Sequence, residues 1–215
     1  DSSGETHNFT TNGDLTQALD TPSNVHATLN TLNPATDKTI SKGGNRIVGS
    51  NATNYTMSIS STLAVDSGKW YWEIKYTSAN ANTNCAIGVA ETGNYEYNQN
   101  MTSGTGGYVS FRFDGERQIN AATTSNYFPA PSAGDIFMFA LDMTNLKFWL
   151  GKNGAWYGTT GNTNGDPANG TNPSATLTAG AWTPIVRYLA GTFDCNFGNG
   201  VFSGTPISSA GSNGN

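Results

Sequence analysis

Apolar and polar residues alternate along much of this chain, most sharply from Gly68 onward. In Lys69-Trp-Tyr-Trp-Glu-Ile-Lys-Tyr76, a period of two puts Trp70, Trp72, Ile74 and Tyr76 on one face and Tyr71, Glu73 and Lys75 on the other. That pattern, rich in aromatic and β-branched residues, predicts a half-buried strand. Further strands are predicted over Cys85–Ala90 and Tyr108–Asp114, with Ile119 beyond an Asp114-Gly115 turn. Ile136–Met143 reads as one arm of a hairpin, turning at Thr144-Asn145 so that Leu146, Phe148 and Leu150 point inward. Lys152-Asn153-Gly154 then reverses the chain again, because Asn-Gly accepts the positive φ angles of a tight turn. Trp182–Leu189 and Thr192–Phe197 supply two closing strands.

Before Gly68 the signal is weaker. Modest strands are expected near Thr39–Val48 and Tyr55–Thr62, with a turn at Ser41-Lys-Gly-Gly-Asn45. Short extended patches stand at His7–Thr11 and Val25–Leu29. Thr159–Gly180, rich in Gly, Asn and Thr, reads as a long surface loop. No segment sustains a helical period or carries a cap followed by an amphipathic run. About ten to thirteen short strands without helices predict an all-β fold of two packed antiparallel sheets, a β-sandwich. We divide the chain into an N-terminal extended segment, 1–33, packing on or leading into the sandwich, a sandwich over 34–205, and a flexible tail, 206–215.

Composition narrows the class. At 215 residues one large domain is the better expectation, and it can bury a core without staples. Charged residues are only 12% of the chain, their place taken by Asn, Thr, Ser and Gly, which favour turns and pleated surfaces. Such a surface depends little on ion pairs and suits a virion or extracellular protein. The net charge of −5 comes with no basic cluster, which argues against a nucleic-acid partner. No apolar run approaches a membrane span, so membrane insertion is not expected. The chain opens on Asp1-Ser-Ser-Gly4 without an initiating Met or a signal-peptide pattern, as an excised piece of a longer polypeptide would. Cys85 alternates with Ile87 and Val89, and Cys195 with Phe193 and Phe197. Both thiols are therefore expected on the core face, free and buried, with a bridge between adjacent strands as the alternative.

The order of motifs resembles the SPRY domain family. Gly68-Lys-Trp-Tyr-Trp-Glu-Ile74, Ala86-Ile-Gly-Val-Ala90, and Gly107-Tyr108 leading to Phe113-Asp-Gly-Glu-Arg117 carry the first part. Gly134-Asp-Ile-Phe-Met-Phe-Ala-Leu-Asp142, Leu146-Lys-Phe-Trp-Leu-Gly-Lys-Asn-Gly154, Trp182-Thr-Pro-Ile-Val186 and Asn196-Phe-Gly198 continue it, over approximately residues 34–202. The resemblance implies a bent, concanavalin-like β-sandwich without catalytic residues or an obligatory metal, which binds proteins or other ligands through loops at one end. The nearest flavour is that of SPRY-like modules in phage tail-fibre and structural proteins. The preamble Asp1–Gly4 with Asp20-Thr-Pro-Ser-Asn-Val-His-Ala-Thr-Leu-Asn30 resembles what precedes such modules. The Asn/Thr-rich loops depart from the animal members, whose peptide-binding residues cannot be carried across.

The sequence offers no enzyme constellation, and no cofactor is expected. His7 and His26 lie in the polar N-terminal segment, away from any nucleophile or carboxylate cluster. Concanavalin-like sandwiches also host glycosidases, which need two acids flanking the scissile bond. Asp114 and Glu116 come closest but straddle a glycine turn, Asp142 suits a structural hairpin role, and Glu73 is expected to pair across strands with a Lys or Thr. Asp166 is one carboxylate among Asn and Gly, too few for a calcium loop. What remains is recognition. Tyr95, Tyr97 and Asn98 lie in one loop, Tyr127 and Phe128 in another, and Trp156 and Tyr157 just past a turn. Aromatics flanked by amides can stack on sugars or peptides while hydrogen-bonding their edges, and can equally plug loops onto the ends of a sandwich. The expected function is non-catalytic binding or structure in a phage virion appendage, with a host surface glycan or protein, or neighbouring virion subunits, as partner. A homo-oligomer is expected, a trimer if the appendage is a fibre. A secreted or cell-surface lectin or adhesin, and a capsid decoration protein, are the alternatives.

Overall fold

The computed structural model describes residues 26–33, 37–50, 58–78, 83–92 and 107–198. The extended patch at 7–11, the tail from 206 and the loop holding Tyr95, Tyr97 and Asn98 lie outside them. Fourteen strands form among the described residues: β1 (Lys38–Ser41), β2 (Arg46–Gly49), β3 (Ser58–Ser60), β4 (Lys69–Tyr76), β5 (Ala86–Glu91), β6 (Tyr108–Arg112) and β7 (Arg117–Ile119), then β8 (Ala122–Thr124), β9 (Ile136–Asp142), β10 (Lys147–Lys152), β11 (Ala155–Tyr157), β12 (Ala175–Thr176), β13 (Trp182–Arg187) and β14 (Thr192–Asn196). A single 3₁₀ turn, Lys42–Gly44, joins β1 to β2. The fold is all-β, as alternation predicts, and no described helix is long and apolar enough to cross a membrane.

Two antiparallel sheets face each other. The eight-stranded sheet runs β1-β2-β14-β4-β9-β10-β11, with β12 also on β10, and the six-stranded sheet runs β3-β13-β5-β6-β7-β8. The hairpin β9–β10–β11 turns at Asn153-Gly154, whose φ angles of 51° and 89° both fall in the left-handed region. The β7–β8 hairpin turns at Asn120-Ala121, φ 48° and 70°, without a glycine, and the sequence pattern does not announce it.

The core lies between the sheets. Trp72, Phe139 and Phe148 stack across β4, β9 and β10, with centroid separations of 5.2, 6.0 and 5.9 Å. Ile87, Val89, Val109, Phe111 and Val186 meet them from the six-stranded sheet. Burying such rings is the main favourable term of the fold. Cys85 and Cys195 form no disulfide, and both are buried in this core. Trp70 has the inward parity of Trp72, yet it is 49% exposed, in a strand whose first three residues are all exposed. Its indole N–H donates to the Ser67 carbonyl at 2.7 Å.

The stretch Thr159–Gly180 differs from a free surface loop. It folds back as a flap over Trp149, whose indole donates to the Thr171 carbonyl at 2.9 Å, and Lys147 Nζ reaches the Gly170 carbonyl at 2.6 Å. Buried Ser174 accepts from the Leu150 N–H and donates to the Tyr157 carbonyl, at 2.8 and 2.7 Å. Uncharged polar side chains can satisfy backbone groups in this way, so composition alone misreads the segment as solvated.

The outer face of the six-stranded sheet is also buried. Ala90, Tyr108 and Ile185 form a small second cluster there, beside Ser58, Ser110, Gln118 and Arg187. Gly88 is required at the centre of this sheet, since a Cβ would fall 2.0 Å from the Val109 carbonyl oxygen.

Candidate binding surface

Tyr127, Phe128 and Tyr157 are buried. Tyr127 and Phe128 both donate backbone N–H groups to the Gly115 carbonyl, at 2.8 and 3.2 Å, so their segment folds onto the Asp114-Gly115 turn. Gly115 sits at φ +90°, and a Cβ there would lie 2.5 Å from the Phe128 carbonyl oxygen. The Tyr127 hydroxyl donates to the Gly158 carbonyl at 2.5 Å, and the Arg117 guanidinium lies 4.6 Å from the ring centroid. Phe128 and Tyr157 meet at 6.2 Å, and Phe111 and Phe137 receive Phe128 from the two sheets. These three rings seal one end of the sandwich and offer no face to a ligand.

Trp156 is different. It lies partly exposed on the outer face of the eight-stranded sheet, its ring over Gly151, where a Cβ would come within 3.0 Å of Cε3. Register puts Tyr71, Ala140, Met138, Gly151 and Trp156 on this one face, because Tyr71 opposes Ala140 and Gly151 opposes both Met138 and Trp156. Tyr71 is 49% exposed and meets Trp156 edge-on, with centroids 6.4 Å apart and 64° between planes. Its hydroxyl donates to Glu73 Oε1 at 2.6 Å, and partial burial followed by this bond pushes the phenol pKa up. Glu73 is thus held by Tyr71 on its own strand and not by a cross-strand Lys or Thr. The result is a shallow aromatic platform rimmed by a carboxylate. Such a surface can stack on a sugar ring or an apolar side chain while accepting hydrogen bonds from hydroxyl or amide groups. Tyr71 carries the one available sequence signal, a large aromatic on the outward parity of a strand otherwise bearing Glu and Lys there.

The remaining acids are tied into structure. Arg112 spans Asp114 at 2.5 Å and Glu116 at 2.7 Å, with Asn84 Oδ1 at 2.7 Å. Burial raises the Asp114 pKa, partly offset by Arg112. Asp142 accepts from the Asn145 backbone and side-chain N–H groups at 3.0 and 2.8 Å, the hairpin role expected of it. Asp194 binds Arg46 Nε and Nη2 at 2.5 and 2.6 Å. Asp166 accepts from Asn169, and His26 Nδ1 lies 3.2 Å from the Phe197 carbonyl oxygen. Among the described residues no group of three or more His, Cys, Asp or Glu is placed to hold a metal.

Comparison with known proteins agrees with this architecture. The SPRY domain family model matches residues 69–174. No curated protein matches the chain. Among solved structures, the SPRY domain of human HERC1 is 16% identical, covering 74% of this chain and 92% of that one, with a TM-score of 0.52. The TRIM65 PSpry domain is 11% identical over 80% and 92%, with a TM-score of 0.57. A human SPRY domain is 11% identical over 77% and 98%, with a TM-score of 0.53. At these identities the structural likeness speaks for the fold, while the family match speaks for the module. Residues 69–174 thus match a SPRY domain, a protein-interaction module, and the match supports a binding role.

Proposed function

We propose that this chain is a non-catalytic binding module of a phage virion appendage, a tail fibre or similar, and that it recognises a glycan or protein on the host surface. The observation that carries the reading is the Tyr71–Trp156 platform with Glu73 at its rim. Large aromatics held in place without long flexible stems provide contact area at low entropic cost. The platform stands on strands β4 and β11, fixed by the ladder through β9 and β10. The sparse surface charge and the N-terminal preamble support the virion setting. The engaged acids argue for binding over hydrolysis, because Asp114, Glu116 and Asp142 all serve local structure.

The test has two parts. Antibody against the chain should label purified particles. The purified chain should bind a glycan array or intact host cells, and Tyr71→Ala with Trp156→Ala should remove that binding without unfolding the protein. Absence from particles would remove the virion setting, and unchanged binding by the double variant would remove the platform.

A further inference from the structure

The outer face of the six-stranded sheet contains a buried charge without a hydrogen-bond partner among the described residues. Arg187, the last residue of β13, opposes Ala86 on β5 and Ser58 on β3. Val186 beside it points into the core, so Arg187 shares the outer face with Ile185 and its small apolar cluster. Its relative exposure is 0%. Its Nε, Nη1 and Nη2 all lack a hydrogen-bond partner among the described residues.

Such a group is costly. Burying an unpaired ion is among the largest single penalties in a fold, and an arginine cannot escape it by losing its proton. Burial, and then the charge of Arg112, lower the Arg187 pKa to about 10, which leaves it charged at neutral pH. The charge of Asp114 eases it only in small part, after burial and Arg112, and without a hydrogen bond. Arg112 also opposes Ala86, from the other side, which separates the two Cα atoms by two strand spacings, about 10 Å. Arg112 engages Asp114 and Glu116 itself, and neither hydrogen-bonds Arg187. The face therefore holds a second guanidinium whose five N–H donors, in a planar fork, match the spacing of two oxyanion oxygens.

We propose that Arg187 is the anchor of a binding site for a small oxyanion, a free carboxylate or phosphate, on the outer face of the six-stranded sheet. The full burial of the guanidinium decides the size of the ligand, since a small ion can enter a closed layer that a partner's surface cannot reach. Ser58, buried on the same face, stands opposite Arg187 on the neighbouring strand.

Thermal unfolding of the full chain, at fixed pH and ionic strength in chloride, tests this with inorganic phosphate in one arm and acetate in the other. The wild type should gain Tm saturably in at least one arm, by the linkage of a ligand that binds only the folded state. Arg187→Met, similar in length and apolar, should show no response and a Tm in chloride at or above that of the wild type. Arg187→Lys, which keeps the charge and loses the fork, should need at least about tenfold more anion for the same gain. A response to phosphate alone or to acetate alone supports the site and assigns its class. The Arg187 Nε–H resonance of the ¹⁵N-labelled wild type should shift in the same titration, a readout that requires no variant to fold. The proposal is overturned if neither Tm nor that resonance moves up to tens of millimolar of either anion, or if Arg187→Met responds like the wild type.

Discussion

Tyr71 and Trp156, far apart in sequence, meet edge-on at 6.4 Å across the outer face of the eight-stranded sheet. The small residues Ala140 and Gly151 on the intervening strands bring the two rings within reach. Neither ring is needed to close the core, and Tyr71 remains half exposed. Glu73 braces Tyr71, and Trp156 lies partly exposed beside it.

The buried loop aromatics should behave oppositely. Phe128→Ala and Tyr157→Ala each remove a large ring from the sealed end of the sandwich, and each should cost about 3–5 kcal/mol in denaturant unfolding. Tyr127→Phe removes only the hydroxyl that donates to Gly158 and should cost about 1 kcal/mol. Near-neutral effects for both alanine variants would mean that these rings do not close the core.

Stability should fall on the acid side through identifiable groups. Burial pushes the Asp142 carboxyl up, but the Asn145 hydrogen bonds and the charge of Lys69 outweigh it and leave the pKa below the ordinary value. Asp135 is likewise lowered, its burial outweighed by hydrogen bonds from Ser132 and Asn153 and by Lys152. A lowered folded pKa contributes stability that is present above the unfolded value, about 3.9, and is lost as pH falls through the folded one. Asp114 runs the other way, because burial raises it, and its contribution is lost as pH rises through its folded pKa. Unfolding measured from pH 2 to 7 should therefore show a flatter acid limb in Asp142→Asn and a steeper one in Asp114→Asn.

Both thiols should be inert in the native protein. Burial, and then the charge of Asp194, push the Cys195 thiol well above its ordinary pKa, which suppresses the reactive thiolate. A colorimetric thiol reagent should titrate Cys85 and Cys195 only after denaturation, and reductant should leave Tm unchanged. Rapid native labelling of either residue would contradict their place in the core.

The fold was largely legible because period-two alternation and Asn-Gly turns are local signals. They locate β4, β9, β10, β13 and β14 and the inward rings of Trp72, Phe148 and Phe193. The burial of both cysteines also follows from alternation, whereas the absence of a bridge between them does not. Short pairings without a local signal were not legible, among them β8 behind Asn120-Ala121 and β12 inside the Gly/Asn-rich flap. The candidate surface was half legible. Trp156 stands out after its turn, but its neighbour Tyr71 is fixed by the strand order β4-β9-β10-β11, which alternation does not encode. Tyr127, Phe128 and Tyr157 look like loop aromatics in sequence, and only the fold-back onto Gly115 and the bond to Gly158 take them inside. Arg187 was invisible, since an arginine at the end of a strand ordinarily reaches solvent.

The most direct test of a binding role for the outer platform is a binding isotherm of the purified chain on intact host cells, wild type against Tyr71→Ala/Trp156→Ala. A binding platform at Tyr71 and Trp156 predicts saturable wild-type binding, at least about tenfold weaker in the double variant, consistent with the loss of two anchor rings. Each single variant should keep its stability to within about 1 kcal/mol, as expected of partly exposed positions. Equal binding by wild type and double variant, with both folded, would contradict it.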